Sequence, residues 1–336
     1  MPQLARVVRI TQPGEDAVLV PDDLVLRDPR GNEVLVEVVA AGLNRADILQ
    51  RRGLYPAPED RPPDVPGLEY AGVVAATGPA VQRWQPGQRV MGLVGGGAMS
   101  SHLLVPAEEV LPVPPCLSLE QAAAIPESFV TAWDALWVQA GLTADQVVLL
   151  HAVGSGLGTA AVQLARLRGA CVVGTSRTPA KLSRCAELGL QHGLLLAAAA
   201  RDTPLRFAEA LLEATGGRPA DVILDVLGAA ALEENLRALN LRGRLVVLGL
   251  LAGGTAMLDL SLLLRRRAAV IGSVLRSRGA AERAALAAGF EREVLPHFAS
   301  GALHPVIDAL MPMRDVALAH RRMEDNASFG KLVLAW

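Results

Sequence analysis

The stretch Val147-Val148-Leu149-Leu150-His151-Ala152-Val153-Gly154-Ser155-Gly156-Leu157-Gly158-Thr159-Ala160-Ala161 constrains the fold of this chain more than any other. An apolar run of strand length enters a cluster of small residues and leaves as an alanine-rich helix. Small residues let a backbone approach a diphosphate closely, and a helix N-terminus offers unpaired N–H groups with a positive partial charge. A strict GxGxxG spacing fails at Thr159. The variant AxxSGxG fits, with Ala152, Ser155, Gly156 and Gly158 in register. Ala152, Gly154, Ser155, Gly156 and Leu157 are expected to line a diphosphate, and Gly158 to let the helix pack on the strand. The strand–turn–helix context favours a dinucleotide over a turn that binds nothing. The same context explains why Val147–Ala165 is uncharged without spanning a membrane.

From Val147 onward, strands and helices alternate. Strands are expected at 147–150, 170–175, 222–226 and 245–248, and helices at 158–168, 179–188 and 230–239. Strand runs without polar alternation fit a parallel sheet covered on both faces, so this part of the α/β chain reads as doubly wound. NAD binders usually end the second strand with an acid that holds the ribose hydroxyls. Here that strand runs into Ser176, Arg177 and Lys181, which can donate to a 2′-phosphate, so NADPH is the expected cofactor. Asp225 and the Gly249-Leu250 turn follow later strands. Both are candidates to line the cofactor, and Asp225 could equally be a turn or cap residue.

The first third differs. Short β-branched runs such as Val34–Val39 are punctuated by Pro-Gly and Gly-rich turns, which suggests a small barrel or sandwich. Ser118 and Gln121 form a capping box, and 122–137 reads as helical. A helix is also expected over 280–298, and Lys331–Leu334 returns to strand. Leu194–Ala200 is an apolar stretch with no evident role. The chain has 336 residues, so two domains are expected. The formal net charge of −2 argues against strong nucleic-acid binding, and Arg265-Arg266-Arg267 reads as a solvated loop. Cys116, Cys171 and Cys185 form no metal or disulfide framework and suit a reducing cytoplasm. The N-terminus shows no basic region followed by an apolar run, so no leader is expected.

Ordered motifs extend over nearly the whole chain. They include Ala41-Gly42-Leu43-Asn44-Arg45-Ala46-Asp47, Gln50-Arg51-Arg52-Gly53-Leu54-Tyr55 and Pro66-Gly67-Leu68-Glu69. Ala122-Ala123-Ala124-Ile125-Pro126-Glu127, the phosphate turn, Leu275-Arg276-Ser277-Arg278 and Phe329-Gly330-Lys331 continue them. With these motifs the sequence resembles the quinone oxidoreductase (zeta-crystallin) branch of the medium-chain dehydrogenase/reductases, and within it the tumour-suppressor-inducible members. The resemblance implies a GroES-like catalytic domain (1–124 and 276–336), a Rossmann NADPH-binding domain (125–275) and a homodimer. It places Asn44 and Leu68 at the two catalytic zinc-ligand positions. Leu68 cannot ligate and Asn44 ligates poorly, so no metal is expected.

The resemblance further implies that Asn44 and Tyr55 hydrogen-bond a substrate oxygen, that Thr131 lies beside the nicotinamide, and that Leu275, Asn326 and Lys331 approach the cofactor. From the residues alone, Asn44 could also be a helix N-cap and Tyr55 a loop residue capping the barrel. A tyrosine that relatives place near the 2′-phosphate is Leu196 here. The expected reaction is hydride or stepwise electron transfer from NADPH to a small quinone. Alternatives are an enone, 2-alkenal or enoyl-thioester reductase, and a non-catalytic NADPH-binding redox sensor. No general acid is evident, and His151 reads as a buried strand-end residue.

Overall fold

The computed structural model describes residues 3–14, 18–196 and 205–336. The β-branched runs of the first third form β1 (Gln3–Thr11), β2 (Val18–Leu26), β3 (Glu33–Leu43), β4 (Glu69–Thr77), β5 (Arg89–Leu93), β6 (His102–Pro106) and β7 (Val110–Pro112). Among them stand an α-helix, α1 (Arg45–Arg51), and a 3-10 turn (Ala107–Glu109), and after them α2 (Leu119–Ala122). The α2 cap is the expected one: Gln121 N donates to Ser118 Oγ at 3.2 Å, and Ser118 N to Gln121 Oε1 at 2.9 Å.

The stretch after α2 is not one α-helix. Pro126–Val130 and Asp134–Gln139 are π-wound, on either side of α3 (Thr131–Trp133). Pro126 has no N–H to continue an α ladder, and widened turns of this kind recur at functional sites.

Alternation then begins as the apolar pattern requires. The strands are β8 (Val147–Leu150), β9 (Cys171–Ser176), β10 (His192–Leu195), β11 (Ala220–Asp225), β12 (Leu239–Val247) and β13 (Ala269–Gly272). Between them lie α4 (Gly156–Leu167), α5 (Pro179–Leu188), α6 (Ala208–Ala214), α7 (Leu232–Ala238) and α8 (Leu260–Arg266). Residues 280–298 split into α9 (Ala280–Glu293) and α10 (Leu295–Ala299), with Pro296 inside the first turn of the second. β14 (Ile307–Pro312), α11 (Val316–Glu324) and β15 (Lys331–Ala335) complete the chain. The expected arginine loop is instead a helix end. Arg265 and Arg266 close α8, where cations complement the C-terminal dipole, and Arg267 caps it at φ 48°. Of the uninterpreted apolar stretch, Leu194 and Leu195 belong to β10, and residues 197–200 lie outside the described residues.

Two compact units result: residues 1–130 with 275–336, and residues 131–274. The first holds a sheet of order β14-β15-β3-β4-β5-β7, with β6 also on β3. Its core includes Val36, Val38, Tyr70, Val90, Met99 and Leu332. Residues 125–130 group with it because Phe129 meets Phe298 edge-on at 4.8 Å between ring centroids, and Glu127 N donates to Glu69 Oε2 at 2.8 Å. The second unit is a parallel sheet of order β10-β9-β8-β11-β12-β13. The order reverses between β8 and β11, the switch point outside which doubly wound sheets bind ligands. Every residue of β8 is fully buried, as a central parallel strand requires. Among the described residues no helix is long and apolar enough to cross a membrane.

Candidate active site

In the second unit, the turn after β8 is built as a cradle. His151 ends the strand, buried, with its ring between Thr175 Oγ1 at 2.9 Å and Asn235 Oδ1 at 2.8 Å. It is a structural post, as the sequence suggested. Ala152 then takes a left-handed φ of 52°, uncommon for a residue with a Cβ. Ser155 caps α4 by accepting from Gly158 N at 3.0 Å. The N–H groups of Gly156 and Leu157 belong to the first helical turn, which has no intrahelical acceptors to offer them. Gly158 is required by packing: a Cβ there would lie 2.5 Å from Ala152 O and from Val153 Cα. A Cβ on Gly154 would lie 2.7 Å from Cδ of Lys181, so the lysine stem passes directly over the turn.

The ends of β9, β11 and β12 carry the other candidate residues. Ser176, at the end of β9, is buried and accepts from Thr178 N at 3.1 Å, while Arg177 is exposed beside it. Asp225 closes an Asx turn, accepting from Leu227 N at 2.7 Å and Gly228 N at 3.2 Å. Its turn role is therefore real; burial raises its carboxyl above the usual range. Gly249 lets the turns after β11 and β12 meet, because a Cβ would stand 3.1 Å from Val226 O. Leu250, next to it, is 59% exposed. Leu196 is a core residue whose N–H donates to Ser176 O at 2.9 Å. Thr131 carries a buried hydroxyl oxygen with no hydrogen-bond partner among the described residues. An orphaned donor of this kind fits a nicotinamide carboxamide, so the residues present suit an NAD(P) cofactor.

The first unit gathers a buried ionic cluster. Lys331 is 4% exposed, and its Nζ donates to Leu43 O at 3.0 Å, Asn44 Oδ1 at 2.6 Å and Glu69 Oε1 at 2.5 Å. Three N–H groups thus meet three oxygens. The ammonium is thus bonded within the protein to Leu43, Asn44 and Glu69. Asn44 sits at the N-cap of α1, yet its amide serves the cluster: Nδ2 donates to Glu69 Oε1 at 2.9 Å. The cap is completed by Asp47 Oδ2, which accepts from Asn44 N at 2.8 Å. Asp47 Oδ1 accepts from Gly67 N at 2.9 Å, and burial pushes this carboxyl up to about 6. Gly42 is needed because a Cβ would fall 2.3 Å from Glu69 Oε1.

Tyr55 is half-buried beneath Arg276, whose guanidinium lies 4.6 Å from the ring centroid. Arg276 is fixed by Gly95 O at 2.6 Å, Tyr55 O at 2.9 Å and Gln50 Oε1 at 2.6 Å. Burial pushes the Tyr55 phenol up, and Glu127 adds to the rise. Leu275 is half-buried and accepts from Arg278 N at 3.1 Å. Asn326 is exposed and closes α11 at φ 54°; its Oδ1 accepts from Arg45 and its Nδ2 donates to Glu324 O. Both ends of that amide are bonded to the protein. The sequence alone assigns no role to Asp47, Glu69, Glu127 or Arg276. Each lies in a recognisable motif, but only the fold shows that they converge.

Among the described residues no group of three His, Cys, Asp or Glu side chains could hold a metal ion. Leu68 is buried hydrocarbon, and the Asn44 amide is occupied at both ends.

Comparison with known proteins gives a consistent picture. Residues 30–115 match the alcohol dehydrogenase GroES-like domain family, and residues 156–289 the zinc-binding dehydrogenase family. The chain is 31% identical over 332 residues to a phenolphthiocerol/phthiocerol polyketide synthase of Mycobacterium tuberculosis. That match covers 98% of this chain, which spans 15% of the length of that relative. A quinone oxidoreductase from Pseudomonas syringae pv. Tomato DC3000 superposes with a TM-score of 0.86 at 28% identity, covering 100% of each chain. The CurK enoyl reductase superposes with a TM-score of 0.83 at 27% identity, covering 98% of this chain and 99% of the other.

Proposed function

We propose a function for this chain from one premise: the chain belongs to the medium-chain dehydrogenase/reductase superfamily of NAD(P)-dependent oxidoreductases, with a GroES-like domain and a Rossmann-like nucleotide domain. It is an NADPH-dependent, zinc-independent reductase of double bonds conjugated to a carbonyl, the bond that a quinone and an enone share. The observation that carries this reading is the cluster at Asn44, which the resemblance places at a zinc-ligand position: the buried cation there is the Lys331 ammonium, seated on Asn44 and Glu69. A fixed positive charge already bonded to three oxygens gives no Lewis-acid site for a substrate carbonyl.

When bound, the cofactor supplies hydride from its nicotinamide. The protein orients. The turn from Ala152 to Gly158 holds the diphosphate and Thr131 the carboxamide. Arg177 and Lys181, with no acid at the end of β9, favour a 2′-phosphate and hence NADPH. Tyr55 is the hydroxyl suited to a substrate oxygen; Asn44 acts behind it, through the cluster.

Two substrate readings have support. The polyketide synthase relative and the enoyl reductase structure favour an enone or enoyl thioester. The quinone oxidoreductase structure favours the quinone. The narrower expectation of a tumour-suppressor-inducible member draws no support from these relatives. A panel of 2-enones, enoyl thioesters and quinones, read by loss of the reduced-nicotinamide absorbance, tests the proposal. Turnover of at least one class supports it, and the preferred class fixes the substrate. Oxidation of NADPH by none of them contradicts it.

A homodimer is part of the proposal. β13 is an edge strand with exposed Val270, and Met257, Leu264 and Val274, near it in sequence, are exposed apolar side chains. The three free cysteines support a reducing compartment such as the cytoplasm.

A further inference from the structure

Reduction of an enone needs a proton as well as a hydride, and protonating carbon is slow unless an acid is held in place. The domain that carries Tyr55 has few groups able to supply one. Both carboxylate oxygens of Asp47 hold backbone N–H groups, and the side chain is fully buried. Glu69 is taken by Lys331, Asn44 and the N–H of Glu127. The Tyr55 phenol is made a weaker acid by burial.

Glu127 is different. It stands on the π-wound segment Pro126–Val130, is only partly buried, and makes no side-chain hydrogen bond to the described residues. Its backbone is anchored on Glu69 Oε2 at 2.8 Å, so the side chain is positioned without being consumed. Five groups act on it electrostatically: Glu69 from β4, Lys331 from β15, Asp47 from α1, and Arg276 and Tyr55 from loops. Burial and then Glu69 push its carboxyl up to about 8, against the pull of Lys331 and Arg276. At neutral pH it therefore carries a proton.

We propose that Glu127 is the proton donor of the reaction, delivering its carboxyl proton to the carbon α to the substrate carbonyl. The inference rests on the enone reading above and supplies the acid that reading lacks. Two electrons and one hydrogen pass as hydride from the reduced nicotinamide to the β-carbon, leaving the nicotinamide oxidised. The π pair of the double bond moves toward the carbonyl as an enolate, whose oxygen Tyr55 can hydrogen-bond. The O–H bond of Glu127 then breaks as the new C–H bond forms at the α-carbon. The carboxylate left behind takes a proton from water. A quinone depends less on the residue, because its product oxygens exchange protons with water unaided.

The test uses Glu127→Gln, with Glu127→Asp as the conservative variant and Glu127→Ala for rescue by added acetate. Both the Gln and Ala variants keep the backbone bond to Glu69. NADPH oxidation is followed with a 2-enone and with a benzoquinone. The expected result is a fall of about 100-fold or more in enone turnover for Glu127→Gln, with a smaller loss on the quinone. Partial activity in Glu127→Asp and acetate-dependent recovery in Glu127→Ala are also expected. A second readout needs no cofactor: the infrared difference spectrum, wild type minus Glu127→Gln, should show a protonated-carboxyl band that titrates away near pH 8. Unchanged enone turnover in Glu127→Gln, or a carboxyl already ionised at neutral pH, would overturn the inference while leaving the reductase reading intact. Wild-type protein that oxidises NADPH with neither acceptor would sink both.

Discussion

Lys331 places its ammonium 2.5 Å from Glu69 Oε1, with Lys331 4% and Glu69 0% exposed. A buried ion pair stabilises little in net terms, but removing one partner strands a charge in a low-dielectric interior. Lys331→Met should therefore destabilise the protein by about 3–5 kcal/mol. The double variant Lys331→Met, Glu69→Gln should regain part of that loss. Denaturant unfolding of both variants checks this. A single-variant cost below about 1 kcal/mol would mean that water reaches the pair.

The glycines of the phosphate turn separate binding from folding. Gly158→Ala forces a Cβ against backbone atoms at 2.5 Å and should lower both stability and nucleotide affinity. Gly154→Ala meets the Lys181 side chain, which can move, so it should weaken NADPH binding with stability held within about 1 kcal/mol. Paired melting curves and calorimetric titrations distinguish the two. Equal loss of stability at both positions would contradict the assignment.

Coenzyme choice rests on Arg177 in this account. Arg177→Ala should weaken NADPH binding about tenfold or more, the worth of a charge-assisted phosphate contact, and leave NADH binding unchanged. Parallel loss for both coenzymes would show that Arg177 does not read the 2′-phosphate.

Two titratable groups set opposite pH dependences. His320 is fully buried, and neither ring nitrogen has a partner among the described residues. Burial, helped by Arg51, lowers it from 6.5 to about 3. The unfolded chain therefore binds the proton first, and stability should fall as pH drops from 6.5 toward 3, by up to about 1.4 kcal/mol per pH unit. His320→Phe should remove that slope and raise the melting temperature. Glu127 acts the other way. Its folded value is raised from 4.5 to about 8, so wild type should lose stability relative to Glu127→Gln as pH rises through that window. Melting temperatures across pH test both; a wild-type slope unchanged in either variant would rule out that residue as its source.

The nucleotide unit was largely legible in the sequence because its signals are local. An apolar strand, small turn residues and a capped helix are contiguous, and β8, the turn and α4 fold as that order dictates. The winding of 126–139 was not legible, since apolar periodicity does not distinguish a π turn from an α turn. The ionic cluster was hidden for another reason. Asn44, Glu69, Glu127 and Lys331 come from distant parts of the chain, and only strand pairing brings them together. The protein partners of Lys331 and Asn326, Glu69 and Arg45, are likewise set by topology rather than spacing.

The central claim is that the turn after β8 binds a dinucleotide without help from a metal. Calorimetric titration of NADPH into protein dialysed against a chelator tests it most directly. Saturable binding at one site per chain, unchanged by the chelator and weakened by Gly154→Ala, is the expected result. Absence of binding by both NADPH and NADH, or binding that returns only with added zinc, would contradict the account.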